Sequence, residues 1–508
     1  MSRVLKKQST TVEVKDLIKD VYLDEQAMRD YKEYGSATVE DRAIVGSLDG
    51  IKPVMRRILW AMHKLGLNHR AKTVKAALIV GTVMGHYHPH GDLSIFAAAV
   101  AGTQLPQPLV DGSESNWGTM TSGSGAMRYI NGRLTAYADA VFFDPFYLPA
   151  LEYTPNYDGS RKEPVNLVAL LPNGILNGNF GICPGVNTRT PAFTLKTMAA
   201  LLVKVIDAKG VCNPIDCMGL EWISDYGGKI KPTTSNRAAL KEFYKTGRGS
   251  VDWSSTHVID EAANTMRFNR FAPFSTNDKA ANANSKSPLE KLITSVETLN
   301  GVASIDDDSD SSDPFRQAYI VRFNRTCKGV ERDKTVKALE SIFSARQTFD
   351  VKVTDRVWVD EENISVALRP ATVPELISGW VKYRVELERK ACSYWIKERD
   401  KEIAYVKLMR LAISKLDFII ACVKDKKLDD AGMVKKISTG LKITEVETNQ
   451  ILGRNLRQLR HLEDQQLADK LAKLTLERDG FAVRLKAPSR YVRKHVIELA
   501  LALRSATQ

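Results

Sequence analysis

From Lys52 to Met62 the chain reads Lys-Pro-Val-Met-Arg-Arg-Ile-Leu-Trp-Ala-Met. Val54, Ile58 and Met62 recur there at helical spacing, with proline near the first turn. Arg56 and Arg57 fall off that stripe and are expected to face elsewhere. Lys75 to Met84 is a second helical candidate and Asp92 to Ala101 a third, with Asp92 well suited to cap it. The Gly/Ser-rich segment Gly112 to Gly125 then reads as a hairpin. Three short helices followed by such a hairpin predict a helix-turn-helix module carrying a wing.

The pattern shifts on either side of this module. Residues 1–28 read as a polar leader and a short amphipathic helix, with Val12, Val14, Leu17, Ile18 and Val21 apolar. Beyond residue 150, β-branched residues and turns increase. Asn156-Tyr157-Asp158-Gly159 and Asn173-Gly174 are turn signals, and Ala318 to Phe323 alternates as a strand does. This region is expected to be α/β with a sheet. After Pro374 about fifty residues hold a single glycine, Gly379, and no proline, enough for a helix about 70 Å long. The polar run Lys397 to Glu402 is expected to be exposed. Leu456, Leu459, Leu467, Leu471 and Leu474 then step at near-heptad intervals, so the segment Ile451 to Leu474 pairs with the long helix as an antiparallel coiled coil or joins it in an ordinary bundle. The resulting division is an arm at 1–28, a winged-helix domain at 29–155, an α/β domain at 156–370 and a long helical domain at 371–508. The fold class is multidomain α+β.

Composition adds a partner class. The chain has 508 residues, 44% of them hydrophobic, and a formal net charge of +13. That length supports several cores, and the basic excess favours a polyanionic partner. The six cysteines form no Cys-x-x-Cys pair, so neither a zinc site nor a disulfide framework is expected, and a reducing, cytoplasmic setting is the default. The N-terminus is basic but lacks the apolar core of a secretory signal. No stretch approaches the ~20 apolar residues of a membrane span, and a soluble chain is expected.

Candidate chemistry centres on Arg128-Tyr129. A tyrosine beside fixed positive charge can attack a phosphodiester and hold the broken strand as a phosphotyrosine ester. In an extended wing the two side chains point to opposite faces, so further positive groups must come from elsewhere. Arg42, Lys52, Arg56, Arg57, His88 and His90 are the candidates. Arginine suits the task because its planar fork matches two phosphate oxygens. His86, His88 and His90 are three of the chain's eight histidines. His-x-His on a strand is a metal motif. Pro89 and Gly91 instead imply a tight turn before a helix, which presents N–H groups and imidazoles to a phosphate. The acidic run Asp306 to Asp313 lacks the glycine and closing glutamate of a calcium loop and reads as a solvated loop. Thr246-Gly247-Arg248-Gly249-Ser250 lacks the lysine and spacing of a Walker A motif, so nothing here suggests nucleotide hydrolysis by this chain.

These motifs together resemble the breakage-reunion subunit of type IIA DNA topoisomerases, of the gyrase A and topoisomerase IV A type. The resemblance opens at Arg42-Ala43 and Asp49-Gly50-Ile51-Lys52-Pro53-Val54-Met55-Arg56-Arg57. It continues through Tyr87-His88-Pro89-His90-Gly91-Asp92, Asn116-Trp117-Gly118, Ala126-Met127-Arg128-Tyr129, Pro155 to Ser160, Leu171 to Gly178 and Gly181-Ile182. It implies Tyr129 as nucleophile of a 5′-phosphotyrosine link, Arg128 assisting, and Arg42 stabilising the phosphate. It implies DNA contacts by Lys52, Arg56, Arg57, His88 and His90, and Ile182 as an apolar wedge that bends DNA. Without it, Ile182 reads as a core residue after a glycine-rich turn. The implied architecture is a winged-helix domain, a tower domain, and a coiled coil ending in a C-gate dimerisation domain. The implied partners are duplex DNA, a second copy through the C-gate and DNA gate, and an ATPase/Toprim chain holding Mg2+ and ATP. No metal site is expected on this chain.

The compact form resembles subunits of large bacteriophages, which would place it in host cytoplasm. It leaves no room for the β-pinwheel of gyrase, so relaxation or decatenation is expected rather than negative supercoiling. Leu93 and Ala97 replace the family's serine and acidic residue, which implies weak quinolone sensitivity. Ile130-Asn131-Gly132 replaces the family's usual Thr-Glu-Ala. The rival reading is a non-catalytic winged-helix protein that binds and bridges DNA.

Overall fold

The computed structural model describes residues 22–118, 123–223, 228–269, 271–272, 288–308, 318–359, 364–425, 428–453 and 464–505. Three large apolar cores and a small one, of Ala43, Ile44 and Cys183, organise them. The first runs from Val45 to Leu503 in sequence, the second joins Met266 to Phe343, and the third joins Ile403 to Leu474.

The first core is built on the helices Pro53–Lys64, Ala76–His86 and Asp92–Thr103. Pro53 opens its helix because φ is preset and the missing N–H has no partner to lose there. Gly91, rather than Asp92, sits at the cap of the third helix, and Asp92 is its first residue. A three-stranded antiparallel sheet closes the module, in the order Val74–Lys75, Asn131–Leu134, Val110–Asp111. Trp117 is buried against it and donates its indole N–H to Asn131 O at 2.6 Å.

Residues beyond 150 make antiparallel sheets. One has five strands in the order Lys229–Ile230, Arg248–Ser254, Ser344–Asp350, Val186–Thr190, Asn179–Cys183. A second has four, with Ala318–Phe323 an inner strand as its alternation predicts, packed on the helices Pro288–Glu297 and Val330–Ile342. Antiparallel pairing makes this region α+β rather than α/β. Asn173-Gly174 opens a short helix, Asn173–Leu176, instead of a turn. The acidic run starts inside a strand, Val302–Asp307, where Asp306 pairs with Arg322. Its remainder from residue 309 lies outside the described residues.

The long helix is Val373–Ser414, 42 residues opened by a capping box between Thr372 and Glu375. It pairs antiparallel with Asp464–Lys486: Glu388 meets Arg484 at 2.6 Å, Arg399 meets Glu477 at 2.7 Å and Asp400 faces Arg478 at 3.6 Å. Lys397, Asp400, Lys401 and Glu402 are exposed, as the polar run predicts, while Glu398 and Arg399 are half-buried. Leu467 and Leu474 are buried in the third core; Leu456 and Leu459 lie outside the described residues.

Two of the expected boundary positions fall inside elements. Residue 28 falls inside the helix Leu23–Thr38, and the amphipathic segment before it lies outside the described residues. Residue 155 falls inside the hairpin that pairs Tyr153–Pro155 with Lys162–Pro164. The last helix, Pro488–Ser505, returns to the first core through Val492, Val496 and Leu499, and Arg493 pairs with Asp207 at 2.9 Å. It packs on the first core, not on the third.

Candidate functional site

A basin of about 1060 Å³ opens between the three-helix module and the five-stranded sheet. Arg42, Lys52, His88 and His90 line its polar wall, and Leu93, Ala97 and Ala101 of the Asp92–Thr103 helix contribute to its apolar one.

Each cation is positioned by a different element. Arg42 is exposed on a π-helical turn, Val39–Ala43, an element found often at functional sites. Lys52 caps the Pro53–Lys64 helix and donates its ammonium to Phe180 O at 2.7 Å. Burial, and then the nearby charge of Arg42, push the Lys52 ammonium below its ordinary range. Phe180 belongs to the edge strand Asn179–Cys183, whose Gly181 lies directly under the Arg42 turn. A Cβ at Gly181 would stand 2.2 Å from Ala43 O, so only glycine permits the approach. One residue further, Ile182 is 62% exposed, which excludes the core reading. Lys52, Arg42 and Ile182 are therefore mounted on one joint.

The histidine turn is clamped from two sides. Asn156 donates to His86 O at 2.6 Å and the Tyr157 hydroxyl donates to Gly85 O at 2.9 Å, so the Asn156-Gly159 turn holds the end of the Ala76–His86 helix. His88 is buried and His90 exposed, with ring centroids 4.3 Å apart. Arg57 donates Nη1 to His88 Nδ1 at 2.9 Å and grips Glu163 through Nε and Nη2, both at 3.0 Å. Burial, Arg57 and His90 in that order lower the His88 imidazole to about 4, so it is neutral near pH 7. A neutral imidazole beside a fixed guanidinium is a poor cation site and a good neighbour for an anion.

Arg56 is placed differently from expectation. It is 4% exposed and bonds Asp49 through Nε at 2.6 Å and Nη2 at 2.9 Å. Asp49 also accepts the N–H groups of Ile51 and Leu167. This pair is a structural tie under the basin and presents no guanidinium to a phosphate.

Arg128 and Tyr129 are brought together, but not to the basin. Tyr129 is 67% exposed, and the Arg128 guanidinium lies 4.7 Å from its ring centroid. Ala77 N donates to Met127 O, Ala76 N to Ile130 O and Lys75 Nζ to Tyr129 O, which pins the loop to the start of the Ala76–His86 helix. The histidine turn follows the end of that helix. Ten residues of rise separate the two sites by roughly 15 Å.

Sequence reading missed Glu163, Asp49 and Lys75. Nothing local marks Glu163 as the partner of Arg57, since their contact depends on a hairpin packing across the helix. Among the described residues no cluster of three or more His, Cys, Asp or Glu side chains could hold a metal ion. The basin's own donors, cations and imidazoles, do not suit a hard divalent ion that requires oxygen ligands. Among the described residues no helix is long and apolar enough to cross a membrane.

Comparison with known proteins supplies the family. Residues 42–498 match the model of the A subunit of DNA gyrase/topoisomerase IV. The chain is 29% identical over 474 residues to the A subunit of DNA topoisomerase 4 from Escherichia coli (strain K12), covering 91% of this chain and 59% of that protein. It is 28% identical over 454 residues to the corresponding protein of Pseudomonas aeruginosa, covering 88% and 56%. It is 29% identical over 467 residues to the A subunit of DNA gyrase from Dehalogenimonas lykanthroporepellens, covering 89% and 54%. The chain thus spans a little over half the length of these relatives. With a match across most of its length, the chain belongs to the family of DNA gyrase and topoisomerase IV A subunits.

Proposed function

We propose that this chain is the DNA-breaking and rejoining subunit of a type IIA topoisomerase. The observation that carries the reading is an exposed Tyr129 stacked with Arg128, together with a basin that concentrates Arg42, Lys52, His88 and His90. The Tyr129 oxygen attacks a backbone phosphorus. A phosphotyrosine bond to the 5′ end forms, the bond to the 3′ oxygen breaks, and the reverse attack reseals the strand. Arg42 and Lys52 supply fixed positive charge for the phosphate oxygens, in a partly water-excluded basin where it counts for more than in bulk water.

In this reading the three helices and small sheet are a winged-helix DNA-binding domain. The sheets beyond residue 150 are the tower, and the helix pair is the coiled coil leading to a C-gate. Ile182, exposed beside the Arg42 turn, wedges between base pairs. Two copies act on one duplex. Because Tyr129 lies roughly 15 Å of helix away from its own basin, it meets the basin of the other copy. A partner ATPase/Toprim chain supplies ATP hydrolysis and Mg2+, and strand passage yields relaxation or decatenation. The setting is cytoplasmic.

The test is Tyr129→Phe. It is expected to bind duplex DNA like the parent but to form no SDS-resistant protein–DNA link in the presence of Mg2+ and the partner. An undiminished link in the variant excludes Tyr129 as nucleophile. Full DNA affinity with no link from the parent under any condition favours the non-catalytic bridging protein.

A further inference from the structure

Arg57 has an unusual division of labour. Its Nε and Nη2 close on both oxygens of Glu163, which leaves Nη1 aimed at His88 Nδ1 at 2.9 Å. A guanidinium only donates, so Nδ1 must offer a lone pair and the ring proton must sit on Nε2. Glu163 and His88 are 8% and 6% exposed, so water does not compete freely for either contact. The backbone of His88 is fixed as well: its N–H donates to Val83 O, and its carbonyl accepts from His90 N, both at 2.8 Å. His88 lines the basin, and among the described residues its Nε2 has no protein partner.

We propose that Glu163 is a positioning residue: by holding Arg57 it selects the Nε2–H tautomer of His88, which donates a hydrogen bond to a DNA phosphate in the basin. This rests on reading the basin as a DNA site, and it assigns a task to a carboxylate that never touches DNA. The depressed imidazole agrees with it, since a doubly protonated ring would set N–H against N–H at Arg57. The competing account is a plain ion pair tying the Pro53–Lys64 helix to the Lys162–Pro164 strand, with no bearing on the imidazole.

Two measurements separate these accounts. Long-range nitrogen–proton NMR on full-length protein carrying labelled histidine reads the His88 tautomer directly. The expected state at pH 7 is Nε2–H, with its resonance shifting when a short duplex oligonucleotide is added. An Nδ1–H or cationic His88 in the unmodified protein overturns the proposal without any variant. The second is a cycle of duplex affinity at fixed salt. Glu163→Gln removes a negative charge, which alone tightens DNA binding, so its effect is read in two backgrounds. His88→Gln keeps an N–H donor near the Nε2 position and has no tautomer to select. Glu163→Gln is expected to be about fivefold more damaging beside His88 than beside the glutamine. Equal effects in both backgrounds leave Glu163 a structural tie. If the tautomer is Nε2–H but duplex DNA shifts nothing, the assignment of the basin fails while the tautomer selection stands.

Discussion

Arg56→Met separates a structural arginine from a DNA-contacting one. Arg56 supplies Asp49 with two hydrogen bonds, at 2.6 and 2.9 Å, and caps Ile51 O at 3.2 Å. Asp49 is fully buried and keeps only the N–H groups of Ile51, at 3.2 Å, and Leu167, at 3.1 Å. Methionine fills similar space but leaves a carboxylate without countercharge, a change that costs about 3–5 kcal/mol. With three cores the chain is not expected to unfold in one step, so a global midpoint is the wrong measure. Hydrogen exchange on peptides covering Pro53–Lys64 reads the loss locally, as amides whose protection falls by about two or more decades. The double variant Asp49→Ala/Arg56→Met should recover much of that loss, because no orphan charge remains. Duplex affinity of the folded Arg56→Met protein should keep the parent's salt dependence. If instead protection is unchanged and the slope of log affinity against log salt falls by about one, Arg56 contacts a phosphate and the structural reading is wrong.

Three further outcomes follow from other contacts. Gly181→Ala places a Cβ 2.2 Å from Ala43 O, so the Ile182 strand and the Arg42 turn must part; hydrogen exchange on peptides covering Asn179–Cys183 should report a local loss of about 1–3 kcal/mol, with a weaker DNA-cleavage signal. His88 has a folded-state value of about 4, below its unfolded value of about 6.5, so the unfolded chain binds more protons between these limits. Its contribution to stability is complete above about pH 6.5 and is lost as pH falls toward 4, and His88→Gln should flatten that part of the pH profile of the local opening free energy read by hydrogen exchange over Ala76–His86. Cys212 and Cys217 are free thiols with sulfurs 3.7 Å apart, so oxidised glutathione should link them to each other, seen as one bridged peptide by mass spectrometry; stable mixed disulfides at both would contradict the geometry.

Local signals carried the elements. Pro53 with an apolar stripe marked one helix start, and a glycine-poor run after Pro374 marked the long helix, which the Thr372–Glu375 box begins. Long-range partners were not legible. Arg56 and Arg57 are adjacent and chemically identical in sequence, yet one is buried against Asp49 and the other turned to Glu163. Which one is buried against Asp49 and which reaches Glu163 and His88 depends on helix rotation set by packing, not on residue type. Lys52 reads as a free cation, but its tie to Phe180 O spans 128 residues. The last helix carries an ordinary amphipathic pattern that says nothing of the core it joins, and only the contacts of Val492, Val496 and Arg493 with the body decide it. The polar run at Lys397 reads as exposed because its residues are charged, and Lys397, Asp400, Lys401 and Glu402 are; the pattern does not show that Arg399 and Asp400 face Glu477 and Arg478.

The separation of Tyr129 from the basin bears on how many copies build one cleavage site. The loop of Tyr129 is pinned to the first turn of the Ala76–His86 helix, and His88 follows its last. Roughly 15 Å of helix exceeds the reach of a tyrosine side chain, about 6 Å from its Cα, so under the proposed strand-breaking role each site is read as joining two copies. Mixed dimers make this measurable. One copy carries Tyr129→Phe and keeps its basin; the other keeps Tyr129 and carries Arg42→Ala. If each site joins the tyrosine of one copy to the basin of the other, the mixed dimer holds one intact site and one doubly damaged site. It should then nick one strand of a duplex, whereas neither variant does so by itself. If tyrosine and basin act within one copy, both sites are damaged and the mixture is as silent as its parents. A silent mixture in which the two copies are shown to have paired would mean that the helix between Tyr129 and His88 does not keep them apart during cleavage.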